Sequence, residues 1–385
     1  MGEWKNCSLS SLGTIVGGAT PSTKKPENYE GGEIPWITPK DLSGFSGRYI
    51  SCGERNITEI GLKSCSAQMM PKHSVLFSSR APIGYVAISD CDVCTNQGFK
   101  SIVPNKDTDY LFLYYLLLYK KHEIENLGSG TTFKEVSAST MKGIEVRVPV
   151  DKREQERIAG ILSALDDKIE SNAHINENLL QQAQALFKSW FVDFEPFNNQ
   201  KPSDWSVSTL GNVSIMGAGG DKPQNVSPIK SNLCQYPIYS NGLSEEGLYG
   251  FTDKPKIFKE SVTVSARGTI GFVCLRHIPY VPIVRLVTLI PKTEIISAKY
   301  LYLWLKQLHI TGTGTTQQQL TVPDFRKTEI LVPSQEIVTL FTATVAPIFE
   351  KIWANQNENE KLSSLRDTLL PKLMSGELDV SNIDL

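Results

Sequence analysis

Two rhythms of apolar and polar residues run along this chain, and each occurs twice. From Asp151 to about Phe191 there is no proline and one glycine, Gly160, and Ile158, Leu165, Asn172, Leu179 and Leu186 recur every seven residues. Ile161 and Ile175 fill d-type positions between them, and Leu162 and Ile169 widen the stripe. The pattern predicts an amphipathic helix with a coiled-coil seam, about 60 Å long at 1.5 Å per residue. A shift of 183 residues brings the pattern back as Phe341, Ile348, Asn355, Leu362 and Leu369, asparagine included. Such a stripe cannot stay bare in water. Each helix either packs on its own domain or the two pack on each other, where polar Asn172 and Asn355 would favour one register. Pro347 falls inside the second pattern. An interior proline removes a hydrogen bond and costs about 3 kcal/mol, so the expectation is a kink there or a helix that begins near it, over Ile348–Leu370.

The second rhythm is the mixed region ahead of each helix. Ser74-Val-Leu-Phe-Ser-Ser-Arg80-Ala-Pro-Ile-Gly84-Tyr-Val86 and Ser261-Val-Thr-Val-Ser-Ala-Arg267-Gly-Thr-Ile-Gly271-Phe-Val273 lie 187 residues apart and share seven of thirteen positions. Trp4 with Leu12-Gly13 returns as Trp205 with Leu210-Gly211, Tyr110-Leu-Phe-Leu-Tyr-Tyr as Tyr300-Leu-Tyr-Leu-Trp-Leu, and Gly128-Ser-Gly-Thr-Thr132 as Gly312-Thr-Gly-Thr-Thr316. A repeat of ordered landmarks defines the architecture before any single element does. Each copy predicts β-type runs such as Ser74–Phe77 and Ile270–Leu275, broken by Gly and Pro. A short apolar helix follows, Tyr110–Asn126 or Lys299–Ile310, then a strand ending at Pro149 or Pro333, then the long helix. The fold class expected is α/β (α+β). Two similar globular domains, 1–150 and 201–334, are separated by a long antiparallel pair of helices, 151–200 and 335–385, in a pseudo-two-fold internal repeat.

Composition narrows the class. With 385 residues, 40% hydrophobic and 21% charged, the chain has the balance of a globular protein of two or more domains. The longest greasy run, Leu111–Tyr119, is about half the length a membrane helix needs. No apolar leader follows the N-terminus, so no membrane association and a cytoplasmic location are expected. Seven irregularly spaced cysteines suit reduced thiols. Cys91 and Cys94 form one CxxC, with Cys52 and Cys65 as the nearby thiols a zinc site would need; buried free thiols are the preferred reading. The net charge of −2 makes any nucleic-acid contact a matter of local clustering.

Catalytic chemistry is hard to find. No phosphate loop of the GxxxxGK[ST] type occurs, and Gly128-Ser-Gly-Thr-Thr-Phe-Lys134 has the wrong spacing. Nor is there a methyltransferase cofactor loop or an Asn/Asp-Pro-Pro-aromatic segment. Asp166-Asp-Lys168 matches the short (D/E)xK of some nucleases but lies on the long helix with no upstream partner, so it reads as solvated helix charge. His73, His122, His174, His277 and His309 lack metal-type spacing. No cofactor and no metal are expected. Candidate phosphate and base contacts are Lys24, Lys25, Lys40, Arg48, Arg80 and Lys134 in the first copy and Lys222, Lys254 and Arg267 in the second. Lys63, Arg55, Lys230, Lys256 and Lys259 are further cations in these regions. Arg80 and Arg267 occupy matching positions, which also suits a shared scaffold role. Ser129, Thr131 and Thr132, and Thr315, Thr316, Gln317, Gln318 and Gln319, sit in glycine loops whose backbone can approach phosphate or simply turn before the final strand. The glutamines suit bidentate contacts to adenine. Trp36, Phe45 and Tyr49 are placed in the first domain's core in preference to its surface.

These residues resemble the specificity subunit of type I restriction–modification systems. The likeness rests on the duplicated plan, Glu154-Gln-Glu-Arg-Ile158 after Pro149, Leu165-Asp-Asp-Lys-Ile169-Glu, Asn96-Gln-Gly-Phe99, the Gly-x-Gly-Thr-Thr pairs, and Leu369-Leu-Pro-Lys-Leu-Met-Ser-Gly-Glu-Leu378. It departs where Gln335-Glu-Ile337 replaces the fuller Glu-Gln-x-x-Ile and where Pro347 intrudes. The resemblance implies a non-catalytic subunit whose two target-recognition domains each read half of a bipartite double-stranded DNA sequence. Its long helices would set the unread spacer and dock two methyltransferase (modification) subunits, and two restriction (nuclease/translocase) subunits would join. A protein-interaction scaffold or inhibitor built on the same duplicated fold is the alternative.

Overall fold

The computed structural model describes residues 2–45, 47–129, 134–312 and 319–380. It forms two compact units, one of Met1–Ala173 with Gln356–Leu385 and one of His174–Asn355.

The first unit runs β1 (Trp4–Ser8), β2 (Gly13–Gly17), β3 (Ile34–Ile37), β4 (Tyr49–Ile50), β5 (Asn56–Ile57), α1 (Glu59–Lys63), β6 (Val75–Phe77), β7 (Val86–Ser89), β8 (Cys94–Thr95), β9 (Lys100–Pro104), α2 (Tyr110–Asn126), α3 (Ala138–Gly143), β10 (Glu145–Pro149) and the first part of α4 (Lys152–Phe191). Its sheets are ordered β2-β9-β6-β7-β4, β5-β3-β8 and β1-β10. The successive apolar residues of β6 are all buried, as expected for a strand covered on both faces. α2 occupies the predicted span, and its first part, residues 110–119, is apolar all round because it is enclosed. It packs on β6 and β7, and Phe112 through Leu117 are buried. Asp109 caps it, its carboxylate accepting the Phe112 N–H at 2.8 Å, while its own N–H donates to the Gln155 side chain of α4 at 3.0 Å. Trp36 and Tyr49 are buried and half-buried, and Phe45 stays exposed.

The second unit runs through the rest of α4, β11 (Ser206–Thr209), α5 (Leu210–Val213), β12 (Ser214–Ala218), β13 (Tyr236–Tyr239), β14 (Leu248–Thr252), β15 (Ser261–Ser265), β16 (Val273–Arg276), β17 (Val281–Pro282), β18 (Leu286–Pro291), α6 (Ala298–Gln307), α7 (Val322–Phe325), β19 (Glu329–Val332) and the first part of α8 (Gln335–Met374). Its sheets, β12-β18-β15-β16, β14-β13-β17 and β11-β19, repeat the connectivity of the first unit, with no counterpart to β4 among the described residues. Even the pairing sense is repeated, since β3 with β8 and β13 with β17 are both parallel. Two sequence expectations shift at their edges. The run from Ile270 becomes strand only at Val273, because Gly271, at φ 83°, belongs to a turn whose N–H donates to Ser265 O. α6 ends at Gln307, since Leu308 turns extended.

Of the two expectations for Pro347, a helix that begins near it is corrected: α8 is helical from Gln335 to Met374, with Pro347 in its interior. Pro347 lies on the exposed side, so the Ala343 carbonyl it leaves unpaired belongs to an exposed residue that water can serve. On the other side Val338, Phe341, Val345, Phe349 and Ile352 are buried, and this packing outweighs the lost bond. By length and composition α8 is apolar enough to cross a bilayer, yet Phe341, Val345, Phe349 and Ile352 sit in the core of the second unit.

In each unit a segment of α4 lies antiparallel to a segment of α8. In the first, Asn172 Nδ2 donates to Asn359 Oδ1 and to Glu358 Oε2, both at 2.8 Å, and Asn359 Nδ2 donates to Ile169 O at 3.1 Å. In the second, Asn355 Nδ2 donates to Asn176 Oδ1 at 2.8 Å and Asn176 Nδ2 to Ile352 O at 3.2 Å. A shift of 183 residues turns one network into the other. Asn172 and Asn355 are each 1% exposed, and Ile158 is fully buried. The other seam residues, Leu165, Leu179, Leu186, Ile348, Leu362 and Leu369, are half-buried. The two packings posed as alternatives therefore coexist. The helices meet at the asparagines, and both also cover the globular regions: α4 through Ile158, Ala159 and Leu162 in the first unit and Ala183, Phe187 and Phe191 in the second, α8 through Leu373 and Met374 in the first and Phe341, Val345 and Phe349 in the second.

The chemistry of that covering differs between the units. In the first, buried Asp166 accepts from Tyr115 Oη at 2.6 Å and Arg366 Nη1 at 2.8 Å, and Arg48 is held by Asp167 and Glu170. In the second, the helix positions 183 residues after Asp166 and Glu170 are Phe349 and Trp353. Phe349 meets Tyr302 edge-on, and Trp353 stacks on His277 at 4.0 Å between ring centres. Burial, with the Lys299 and Arg276 charges nearby, lowers the His277 pKa to about 4.

Two outcomes follow from this packing. Asn355→Ala strands Asn176 Oδ1 and should cost about 1–3 kcal/mol of unfolding free energy, read from urea titration, whereas Gln181→Ala on the exposed side should stay within about 0.5 kcal/mol. His277 should titrate near pH 4 by NMR instead of near the unfolded value of 6.5. Since the unfolded chain takes up this proton first, the stability of the protein relative to His277→Gln should fall as pH drops from about 6.5 towards 4 and be level above that window.

Candidate nucleic-acid interface

Each unit gathers several chain segments around one arginine turn. In the first, Ser79 precedes Arg80, and the Ser79 N–H donates to Gly98 O at 2.7 Å while its carbonyl accepts the Val136 N–H at 2.9 Å. The turn closes with the Gly84 N–H donating to Ser78 O at 2.9 Å, with Gly84 at φ 93°. In the second, Ala266 precedes Arg267, its N–H donates to Arg285 O and its carbonyl accepts the Leu320 N–H, both at 2.8 Å. The Gly271 N–H closes that turn on Ser265 O at 3.0 Å. The strand framework thus brings together, in both copies, the arginine turn, the β8–β9 or β17–β18 turn, and the end of the glycine loop.

The electrostatics around these turns are mixed. Glu135 Oε2 accepts from Arg80 Nε at 2.8 Å, and its Oε1 lies 3.5 Å from Lys100 Nζ, so one carboxylate serves two cations. The backbones of Ser129 and Glu135 exchange hydrogen bonds of 3.0 and 2.9 Å, closing the base of the first glycine loop. Ser129 and Lys134 are exposed there. Thr131 and Thr132 of that loop, and Thr315, Thr316, Gln317 and Gln318 of the second, lie outside the described residues, while Gln319 is exposed at the second loop's foot. The Arg267 turn is braced from β13's end: Asn241 Nδ2 donates to Arg267 O at 2.8 Å, and Thr269 Oγ1 donates to Asn241 O. Lys222 Nζ donates to Tyr249 Oη at 2.9 Å, and Lys256 Nζ lies against Gly220 of the neighbouring segment.

Other candidates fall elsewhere. Lys24 and Lys25 are exposed in the segment before β3, near Tyr29, over which Arg55 stacks at 4.2 Å. Lys40 is exposed and paired with Glu54 at 2.6 Å, and Lys254 is exposed next to Asp253. Arg48 is corrected. At 5% exposure and ion-paired to α4, it anchors a helix and cannot reach a phosphate. Asp166 is corrected too, because it is a buried acceptor and not a solvated charge. Cys94 and Cys274 are buried, and burial pushes both thiols up to about 12. Among the described residues no group of three or more His, Cys, Asp or Glu is arranged to hold a metal ion.

Sequence reasoning missed Arg285. It is exposed at φ 74° in the β17–β18 turn. The signal was present, since the 187-residue shift sets Ile283-Val-Arg-Leu286 against Asn96-Gln-Gly-Phe99.

Comparison with known proteins agrees with the duplication. Residues 1–181 and 202–364 each match the family described as "Type I restriction modification DNA specificity domain". The chain is 36% identical to the type I restriction enzyme MjaIX specificity subunit of Methanocaldococcus jannaschii, over 99% of this chain and 95% of that one. It is 25% identical to the HindI specificity subunit of Haemophilus influenzae, over 98% and 100%. The crystal structure of a type I restriction-modification system S subunit from M. genitalium shares the fold, with a TM-score of 0.60 at 20% identity over 97% of this chain and 96% of that one. With both halves matched by one family model and nearly its whole length aligned to such subunits, this chain belongs to the family of type I restriction–modification specificity subunits.

Proposed function

We propose that this chain is the DNA-reading subunit of a type I restriction–modification complex in the cytoplasm, and that each unit reads one half of a bipartite, asymmetric duplex sequence. The long helices set the unread spacer and dock two methyltransferase (modification) subunits, and two restriction subunits join them. Recognition belongs to this chain and the covalent chemistry to its partners. The observation that carries the reading is the repeated arginine turn. Arg80 and Arg267 stand at matching places on matching sheets, each bonded through the preceding residue to the end of a glycine loop. Such a cluster of cations, exposed backbone and polar side chains suits phosphate positioning next to base contacts.

The net charge of −2 is consistent with this if affinity comes from local clusters and from partner subunits. Gel-shift titration with the modification subunits present tests the function directly. Replacing residues 205–328 with the matching segment of a relative should change the sequence read in one half-site and leave the other intact, as read by sequencing methylated adenines. Loss at both halves would defeat independent reading. Arg80→Ala should weaken binding to all sequences alike and lower the salt-dependence slope by about one unit; a change in base preference would show that it reads sequence.

A further inference from the structure

We infer that the β17–β18 turn, Ile283–Arg285, is a base-reading element of the second unit, and that Arg285 reads a guanine; the β8–β9 turn, Asn96–Gly98, is its counterpart on the shared scaffold. The inference rests on the DNA-reading function proposed above and assigns residues to it. Two heads built on one duplicated scaffold can read different sequences only where the backbone is shared and the side chains differ. Arg80 and Arg267 are identical and so cannot distinguish the halves. The turn meets both conditions. It is held alike in the two units: the Asn96 N–H donates to Ile37 O at 3.0 Å as Ile283 N–H does to Tyr239 O at 2.9 Å, and the carbonyls of Gly98 and Arg285 accept from the residues preceding Arg80 and Arg267.

The side chains are different. The first turn exposes Gln97 beside Thr20, to which it is hydrogen-bonded. Gly98 has no room for a side chain, because a Cβ there would sit 2.8 Å from Pro39 Cγ. The second turn exposes Val284 and Arg285. Arg285 holds φ 74°, a left-handed conformation unfavourable for arginine, while its carbonyl is fixed by Ala266. Among the described residues no ion pair engages its guanidinium. Structural arginines in this chain behave differently: Arg48 and Arg276 are buried and paired with carboxylates. An exposed guanidinium carried on a fixed backbone beside the Arg267 turn is suited to the O6 and N7 acceptors of guanine, with Val284 placed for a thymine methyl.

The test is selection from randomised duplexes with the full chain and the modification subunits of its system, comparing wild type with Arg285→Ala, Arg285→Gln and Arg285→Gly. Arg285→Ala should lose a guanine preference at one position of one half-site by roughly 10- to 100-fold, leaving the other positions intact. Arg285→Gln should shift that position towards adenine. Arg285→Gly relieves the backbone and should melt no lower than wild type while showing the same lost preference, which separates reading from folding. An unchanged motif, or weakening that is uniform across sequences with a smaller salt slope, would overturn the assignment and leave the DNA-reading function standing. A wild-type complex that selects no sequence at all would overturn both.

Discussion

Four asparagines at the meeting of α4 and α8 constrain this protein most tightly. An asparagine buried at 1% exposure is tolerated when its amide finds partners, and here the Nδ2 of Asn172 and of Asn355 finds them on the opposing helix, while Asn172 Oδ1 is buried without a hydrogen-bond partner. A slip of either helix by one residue would bury those amides against carbon. Leucine in their place would pack at least as favourably in many registers, so the asparagines give up stability for a single alignment. The apolar positions on either side are only half-buried at the seam, and most of the full burial lies where each helix covers a globular region.

Duplication repeated the backbone more faithfully than the chemistry. Strand order, pairing sense and the turns at Gly84 and Gly271 recur. The contacts that fix a long helix to its globular region have diverged. Asp166 and Glu170 hold Arg366 and Arg48 in one unit, while Phe349 and Trp353 at the matching helix positions meet Tyr302 and His277 in the other. Both solutions bury a polar or polarisable group against a complementary one. The ionic solution leaves charged partners exposed to the cost of an unpaired buried charge if either is lost, and the aromatic solution depends on ring area and shape.

The candidate interface follows the same division. What the sheets fix is backbone: the residue before each arginine is bonded on both sides, so the turn and the loop foot are rigidly placed. What the sheets leave free is the identity of the side chains on those turns, and it is there that the copies depart from one another. A scaffold of this kind can change what it recognises without repacking its core, because exposed turn residues carry little of the packing energy.

Periodicity and repetition by themselves determined a great deal: the first long helix and the part of the second after Pro347, α2 to its end residues, the repeated order of elements, and the asparagine positions on the seam. These are local or one-dimensional properties, set by the 3.6-residue period and by comparison of the chain with itself. Only the tertiary structure decided the rest. Pro347 is tolerated because it falls on the exposed side of a helix anchored by Phe341, Val345 and Phe349. Arg48, indistinguishable in sequence from a surface cation, is drawn inward by carboxylates 119 and 122 residues away. Arg285 is brought beside Arg267 by sheet pairing across a long connection. Which charge meets which partner depends on contacts between residues far apart in the chain, and no local pattern records them.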